Sequence, residues 1–129
     1  MSPAAAKKGD RVQATDSHLI QPPGSSPPSP VPHPFSGILD GALSADVNIE
    51  GQAAATVDST ATNTPSHIPQ GGSFVNPPSN RGTIIRGSAT VKINGRAAAR
   101  AGDTARTCND PVDAPVGSVV ATGTVSIGD

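Results

Sequence analysis

The sequence predicts an all-β fold made of three related units around a pseudo-threefold axis. Three observations lead to this prediction. Segments of the chain repeat at two separate offsets, the repeated segments alternate between apolar and polar residues, and the 129 residues include 14 Gly and 14 Pro. So much Gly and Pro argues against a helical bundle, because both residues interrupt helices.

The repeat is clearest between the segments that begin at Ala45 and Ala89. ADVNIEGQAAATVDSTAT and ATVKINGRAAARAGDTAR share a Val-x-Ile-x-Gly spacing followed by three alanines, at an offset of 44 residues. A third copy opens the chain, since AAAKKGD from Ala4 matches AAARAGD from Ala97 at an offset of 93. The C-terminal GTVSIGD ends where the next alanine run would begin. We therefore expect the C-terminal strand to complete the unit that the N-terminus opens, with both termini close together.

Each unit has the pattern of short strands. Residues 83–85 are β-branched, and residues 89–94 alternate with their Val and Ile on one face. Turn signals at 86–88 and at 94–95 predict a hairpin on either side of this second strand. The alanine runs are too short for a stable helix. We expect strands there, because small side chains let backbones approach closely near a crowded axis; a single helical turn is the alternative.

Two stretches fall outside the repeat, and both are predicted to be loops of a single domain, 1–129. Residues 21–34 contain seven prolines in fourteen positions, and residues 70–80 are also typical of a loop. His18 and His67 precede these two stretches at corresponding points of their units. We expect the Pro-rich loop to be an addition to the repeat unit, and a bond at its far end would be needed to order it.

Composition narrows the class of protein. A net charge of −1 gives no general reason to expect nucleic acid or an anionic membrane as a partner. The chain is 34% hydrophobic and has no Trp or Tyr, so its core is thin and would benefit from a staple. One cysteine cannot form an internal disulfide. MSPAAAKKGD lacks an apolar signal-peptide segment, so we expect a chain made in the cytoplasm that leaves the cell only through a dedicated machine.

The histidines and the cysteine form a candidate metal-ligand set, although no local spacing resembles a zinc finger. His18 and His67 occupy equivalent repeat positions, and Cys108 lies three positions earlier in the third unit. Ligands at matching points of three units would converge on the axis, and His33 of the Pro-rich stretch would supply the fourth bond. Three imidazoles and one thiolate favour zinc or iron and complete a closed structural site.

Enzymatic and nucleic-acid functions find little support. Asp10 and Asp103 belong to a repeated Gly-Asp pair that is typical of turns, and Asp16 and Asp110 are expected to be solvated. Cys108 has no cysteine-protease signature around it. The basic residues have no interleaved aromatics for base stacking, so they are expected to face solvent or a protein partner.

The segment VKINGRAAARAGD, preceded by GTIIRGS, resembles the PAAR-repeat proteins. The family is named for a Pro-Ala-Ala-Arg motif, and here Ala97 stands in place of the proline while Arg100 is kept. The Val-Pro-His-Pro-Phe run at 31–35 and the ending GTVSIG also resemble this family. The resemblance covers essentially the whole chain, and it leaves the role of Arg100 open.

This resemblance implies a fold, a partner and a metal. PAAR-repeat proteins form a small cone of three β-units that caps the trimeric VgrG-like spike of type VI secretion and extracellular contractile injection systems. They bind one structural zinc ion near the vertex through three His and one Cys, here His18, His33, His67 and Cys108. The implied chain is a non-enzymatic tip, one per trimer, that touches the target membrane transiently and links effector proteins. The alternatives are a small metal-dependent hydrolase and an adaptor that loads effector proteins onto the spike.

Overall fold

The described part of the chain is built from eleven β-strands. The structure is a computed structural model that describes residues 2–128, and those residues contain no helix, hence none able to cross a membrane. The strands are β1 Arg11–Gln21, β2 Ser29–Gly41, β3 Asn48–Ile49, β4 Gln52–Ala53, β5 Thr60–Asn63, β6 Ser73–Phe74, β7 Arg81–Ile84, β8 Lys92–Ile93, β9 Arg96–Ala97, β10 Thr104–Thr107 and β11 Ala114–Val120.

Six of these strands close into an antiparallel, cone-like ring. Their order is β1-β2-β5-β7-β10-β11, and β11 pairs back onto β1. The short β6 extends the far end of β1, and β3–β4 and β8–β9 form separate hairpins. The all-β cone predicted from the sequence and from the family resemblance is therefore confirmed.

The two chain ends pair like the strands of a third hairpin that has no connecting turn, and we count this pair among the three hairpins below. Ser126 bridges Ala4 just as Asn48 pairs with Ala53 and Lys92 pairs with Ala97. The expectation that the C-terminal strand completes the first unit is confirmed. We call the region formed by these three hairpins the hairpin end; its isoleucines, one from each hairpin, are buried together with small alanines.

A cyclic set of backbone hydrogen bonds joins the three units at the axis. The amide of Ala6 donates to the Ala99 carbonyl at 2.9 Å, Ala99 donates to Ala55 at 3.0 Å, and Ala55 donates to Ala6 at 3.0 Å. All three alanines have no exposed surface. Because three backbones meet here, only a small side chain fits, and the preference for strand over helix in the alanine runs is confirmed.

One predicted turn is present and another is not. Asn94 and Gly95 have φ values of 53° and 80°, as a type I′ turn requires, and they connect β8 to β9. The hairpin predicted across residues 86–88 is wrong, because β7 pairs with β5 on one edge and with β10 on the other. Because both edges of β7 are occupied, β8 does not pair with it and forms a hairpin with β9.

The Pro-rich stretch is only partly a loop. β2 begins at Ser29, and residues 29–34 pair with β1, so the loop predicted over 21–34 shrinks to the segment between the strands. Pro30 and Pro32 lie opposite Leu19 and Ser17 in the ladder. The carbonyls of Leu19 and Ser17 accept hydrogen bonds from the amides of residues 75 and 110, on the side away from β2. The prolines therefore occupy positions where no ladder donor is needed. Because these prolines are spaced two residues apart, both fall at such positions, and the proline-rich segment can form a strand.

The main core lies inside the ring, between the hairpin end and a cluster of imidazoles. Val12, Phe35, Leu39 and Ile84 are its largest apolar side chains, each at most 2% exposed. The second loop predicted, 70–80, contains β6, which brings Phe74 beside Ile20 of β1. The end of the ring beyond Phe35 contains the rings of His18, His33 and His67, and we call it the imidazole end.

Candidate metal centre

Strand alternation places two polar side chains inside the imidazole end. Every second residue of β1 is buried from Asp16 to Ile20, so Asp16 and His18 both face inward. β2 runs opposite, and its His33 lies directly across the ladder from Asp16. His33 is thus fixed by strand register, at 1% exposure.

The other two predicted ligands arrive from segments that follow strands. His67 lies four residues after β5, where the Asn80 side chain accepts its backbone amide at 2.8 Å. Cys108 directly follows β10 and is 3% exposed. Units with related sequences therefore direct these side chains to one point, as the repeat argument predicts.

Four donor groups form a tight cluster. Asp16, His18, His67 and Cys108 each offer one ligand atom, and these atoms lie within 4.8 Å of one another. His67 Nε2 lies 2.9 Å from Asp16 Oδ2, and the Cys108 thiol donates to the same oxygen at 3.4 Å. Cys108 Sγ lies 3.7 Å from His18 Nε2.

The three imidazoles pack against one another in a triangle. The ring centroids of His18 and His67 are 5.0 Å apart, and His33 lies 5.6 Å from each of them. Phe74 covers this triangle, with its centroid 5.7 Å from His18 and 5.5 Å from His33. All three predicted histidines thus meet in one buried place.

His33 differs from the other two in its contacts. Its Nδ1 lies 2.8 Å from the Val31 carbonyl, and its Nε2 accepts the Gln70 amide at 3.3 Å. The Val31 contact assigns the ring proton to Nδ1 and leaves the lone pair on Nε2. His33 therefore belongs to the imidazole triangle but lies outside the tight four-donor cluster, which contains Asp16 instead.

The prediction that Asp16 and Asp110 are solvated is wrong. Asp16 has no exposed surface, and the Asp110 side chain is 8% exposed. Asp16 sits two residues before His18 on the buried face of β1, where four donors satisfy its carboxylate. Asp110 accepts the Leu19 amide at 2.8 Å. The period-two pattern around His18 was a signal for Asp16; Asp110 and Phe74 have none, because tertiary contacts bring them there.

The protonation of this centre is set by its burial. Burial lowers the pKa of His18, His67 lowers it further, and Asp110 and Asp16 act in the opposite direction. Burial raises the pKa of the Cys108 thiol to about 11, with Asp16 acting in the same direction. Without a cation the thiol is protonated and is a weak nucleophile, which argues against a cysteine-based enzyme.

The residues present fit a metal ion. His18 Nδ1 is buried and has no hydrogen-bond partner, although buried polar atoms are rarely left in this state. Imidazole, thiol and carboxylate donors suit a transition metal of borderline softness, and a bound dication would deprotonate the thiol. This centre can therefore hold a metal that ties several strands together.

Arg100, whose role the altered motif left open, ties one unit to another. Its guanidinium bonds both oxygens of Asp103, at 2.8 and 3.2 Å, and the Gly128 carbonyl at 3.2 Å. Asp103 also accepts the Arg100 amide at 2.7 Å, which is the turn chemistry expected of the Gly-Asp pair. Arg100 therefore anchors the C-terminal strand to the third unit.

Comparison with known proteins agrees with the fold and the centre. The model of the PAAR motif family matches residues 29–104 and again residues 75–129, as expected for a chain with internal repeats. No curated protein matches the chain significantly. The two matches together extend over most of the chain. The protein therefore belongs to the PAAR motif family, whose members have a structural role at the spike tips of secretion systems.

Proposed function

We propose that this protein caps a trimeric VgrG-like spike, with one chain bound to each trimer. The cyclic hydrogen bonds between Ala6, Ala99 and Ala55 are the observation that carries this proposal. They make three parts of one chain equivalent around an axis. A single asymmetric chain can thus offer the same contact to each of three identical spike subunits.

The hairpin end is the docking face in this proposal. Its three hairpins are related by the repeat, whereas the imidazole end carries features that occur once, such as the β1–β2 ribbon and β6. Val47, Val91 and Val125 hold corresponding positions beside the hairpins, and each keeps exposed surface. A threefold spike surface matches a threefold set of apolar contacts better than it matches an asymmetric tip.

The role of the cap is mechanical. A closed ring has no free strand edge along its sides, so it resists deformation and edge-to-edge association. The metal centre would tie β1, β2 and the segments after β5 and β10 at the end away from the spike. A rigid end of this kind concentrates the force of contraction on a small area of target membrane as the particle leaves the cell.

We further propose that the metal is zinc and that His18, His33, His67 and Cys108 hold it. Zinc–nitrogen bonds of about 2.0–2.1 Å in a tetrahedron place imidazole centroids about 5 Å apart. The three observed centroid distances, 5.0 to 5.6 Å, are close to this separation. The zinc would supply a structural cross-link; the hydrolase alternative needs a position for water, which four protein ligands do not leave.

Metal analysis tests this part of the proposal. Purified protein should contain about one zinc per chain, and X-ray absorption should show three imidazoles and one sulfur. A set with two imidazoles, one carboxylate oxygen and one sulfur would instead place Asp16 among the ligands. Less than a tenth of an equivalent of zinc in folded protein would overturn the zinc site.

A docking experiment tests the face. Val91→Asp should weaken binding to the cognate spike trimer by at least about tenfold, since it places a charge in an apolar contact. Val112→Asp is the matched control, because Val112 is 71% exposed and lies in the segment after Cys108, away from the hairpins. Equal affinity of both variants would contradict docking through the hairpin end.

The tip of the β1–β2 ribbon is the proposed attachment point for effector proteins. Residues 23–30 are all exposed, and the prolines in this segment limit the entropy lost when a partner binds. Replacing residues 23–28 with a Gly-Ser loop should reduce effector recruitment while spike binding stays unchanged. Loss of neither, measured by co-purification of both partners, would remove effectors from the proposal.

A further inference from the structure

Each of the three imidazoles has an oxygen acceptor near one ring nitrogen. His67 Nε2 lies 2.9 Å from Asp16 Oδ2, and His33 Nδ1 lies 2.8 Å from the Val31 carbonyl. His18 Nδ1 lies 3.5 Å from Asp110 Oδ2 and makes no hydrogen bond to it. A histidine that binds a metal through one nitrogen commonly donates its other N–H to such an oxygen.

We propose that Asp16 and Asp110 are positioning residues of the metal centre, which orient His67 and His18 without binding the ion. This inference rests on the proposed zinc site. Each carboxylate would fix which ring nitrogen carries the proton and would leave the other nitrogen facing the metal. The carbonyl of Val31 holds the proton on His33 Nδ1 in the same way, and an ion at His33 Nε2 would take the place of the Gln70 amide that now donates to it.

Asp16 is held rigidly enough for this task. Its Oδ1 accepts the Thr107 hydroxyl at 2.5 Å and the Asn109 amide at 3.3 Å. Its Oδ2 faces His67 and Cys108. Because four neighbours and complete burial restrain this carboxylate, it can restrain His67 in turn.

Asp110 is fixed through the backbone of β1. Its Oδ2 accepts the Leu19 amide at 2.8 Å, and its own amide donates to the Ser17 carbonyl at 2.8 Å. A metal bound at His18 Nε2 obliges Nδ1 to carry the proton. The Nδ1–H of His18 would then be a donor 3.5 Å from Asp110 Oδ2, which would offer a partner to the buried atom that now lacks one.

Charge supports the same assignment for Asp16. Zinc with three neutral imidazoles and one thiolate carries one net positive charge, which is costly to bury without compensation. The carboxylate of Asp16 lies in contact with two of the proposed ligands and has no exposed surface. It would offset this positive charge.

Zinc affinity, measured by competition with a chelator, tests the inference. Asp16→Asn and Asp110→Asn should each weaken zinc binding by about 10- to 100-fold. Asp113→Asn is the matched control, because Asp113 is exposed and nearby in sequence, and it should bind zinc like wild type. Thr107→Val leaves the Asp16 carboxylate in place but removes its hydrogen bond from the Thr107 hydroxyl, together with a long bond from Asn109 to that hydroxyl. It should cause a smaller loss of zinc affinity, and it provides a test if Asp16→Asn does not fold.

Cobalt substitution separates a positioning role from ligation. Tetrahedral d–d bands and the sulfur-to-cobalt band should persist in Asp16→Asn, with shifted d–d positions. Unchanged zinc affinity in both Asn variants would overturn the inference, and so would loss of a ligand on substitution of Asp16. Failure of the wild-type protein to bind zinc would refute the proposed site itself, which is a different result.

Discussion

The hairpin end and the imidazole end close the same ring of strands by different means. At the hairpin end three alanine backbones bond to one another, and the side chains contribute only by being small. At the imidazole end buried polar and charged side chains meet instead. Closure by the backbone depends on hydrogen bonds alone, whereas the side chains of the other end form a group that can hold a metal ion.

This difference teaches how a chain with a thin core becomes rigid. Apolar burial is modest, with one buried Phe and few large aliphatic side chains. The backbone ring makes the hairpin end self-sufficient. The imidazole end leaves one buried side-chain atom of the described residues, His18 Nδ1, without a hydrogen-bond partner, and the proposed metal would add a cross-link there.

The largest expected effect is at the imidazole end. Cys108→Ala or His67→Ala should remove most of the zinc and several kcal/mol of stability, since structural zinc contributes on the order of 10 kcal/mol in small domains. Zinc content and melting temperature measure both effects. Val112→Ala, in an exposed neighbouring segment, should change neither; unchanged zinc content in both ligand variants would contradict the assignment.

A second variant disturbs the ring of alanine backbones beside the hairpin end. Ala99→Val adds two methyl groups where three backbones meet and should cost about 1–3 kcal/mol through overpacking. Zinc content should stay at wild-type level. Ala45→Val, at an exposed position, is the control. A neutral result for Ala99→Val in chemical denaturation would show that the axis has room to spare.

Phe74 offers a milder way to open the imidazole end. Its ring is partly buried against His18 and His33, so Phe74→Ala should cost about 1–2 kcal/mol. It should also speed zinc release to a chelator, because water reaches the centre more easily. Release at the wild-type rate would mean that Phe74 does not cover the site.

The smallest effect is expected for an exposed ion pair between units. Arg96 bonds Asp58 at 2.8 Å, but their side chains are 57% and 63% exposed. Arg96→Ala should therefore change the unfolding free energy by less than about 1 kcal/mol. A loss above 2 kcal/mol would show that surface pairs, and not the axis, hold the units together.

The sequence predicts the threefold fold well because the repeat sets it locally. Val-x-Ile-x-Gly strands, the turn at Asn94 and the Gly-Asp turns each depend on neighbouring residues. The hairpin predicted across residues 86–88 is absent, because β5 and β10, which lie far away in the sequence, pair with the two edges of β7. The Pro-rich stretch is predicted as a loop, but its last six residues form part of β2. The register with β1, and not the proline content, decides which residues of β2 must donate a hydrogen bond to the ladder.

The metal centre is only partly predictable from the sequence, because long-range contacts bring some of its residues together. His18, His67 and Cys108 were found by their repeat positions, and the structure brings them together. Asp16 was missed because a single acidic residue is usually solvated, and only the alternation of β1 places it inside. Asp110 and Phe74 reach the centre from segments that the repeat does not describe.

Amide hydrogen exchange with and without metal tests the contrast between the two ends most directly. Removing zinc with a chelator should speed exchange at Leu19, Val75 and Asp110, whose amides bond within the imidazole end. The amides of Ala6, Ala55 and Ala99 should keep their protection. Equal loss of protection at both ends, or no change at either, would contradict the account.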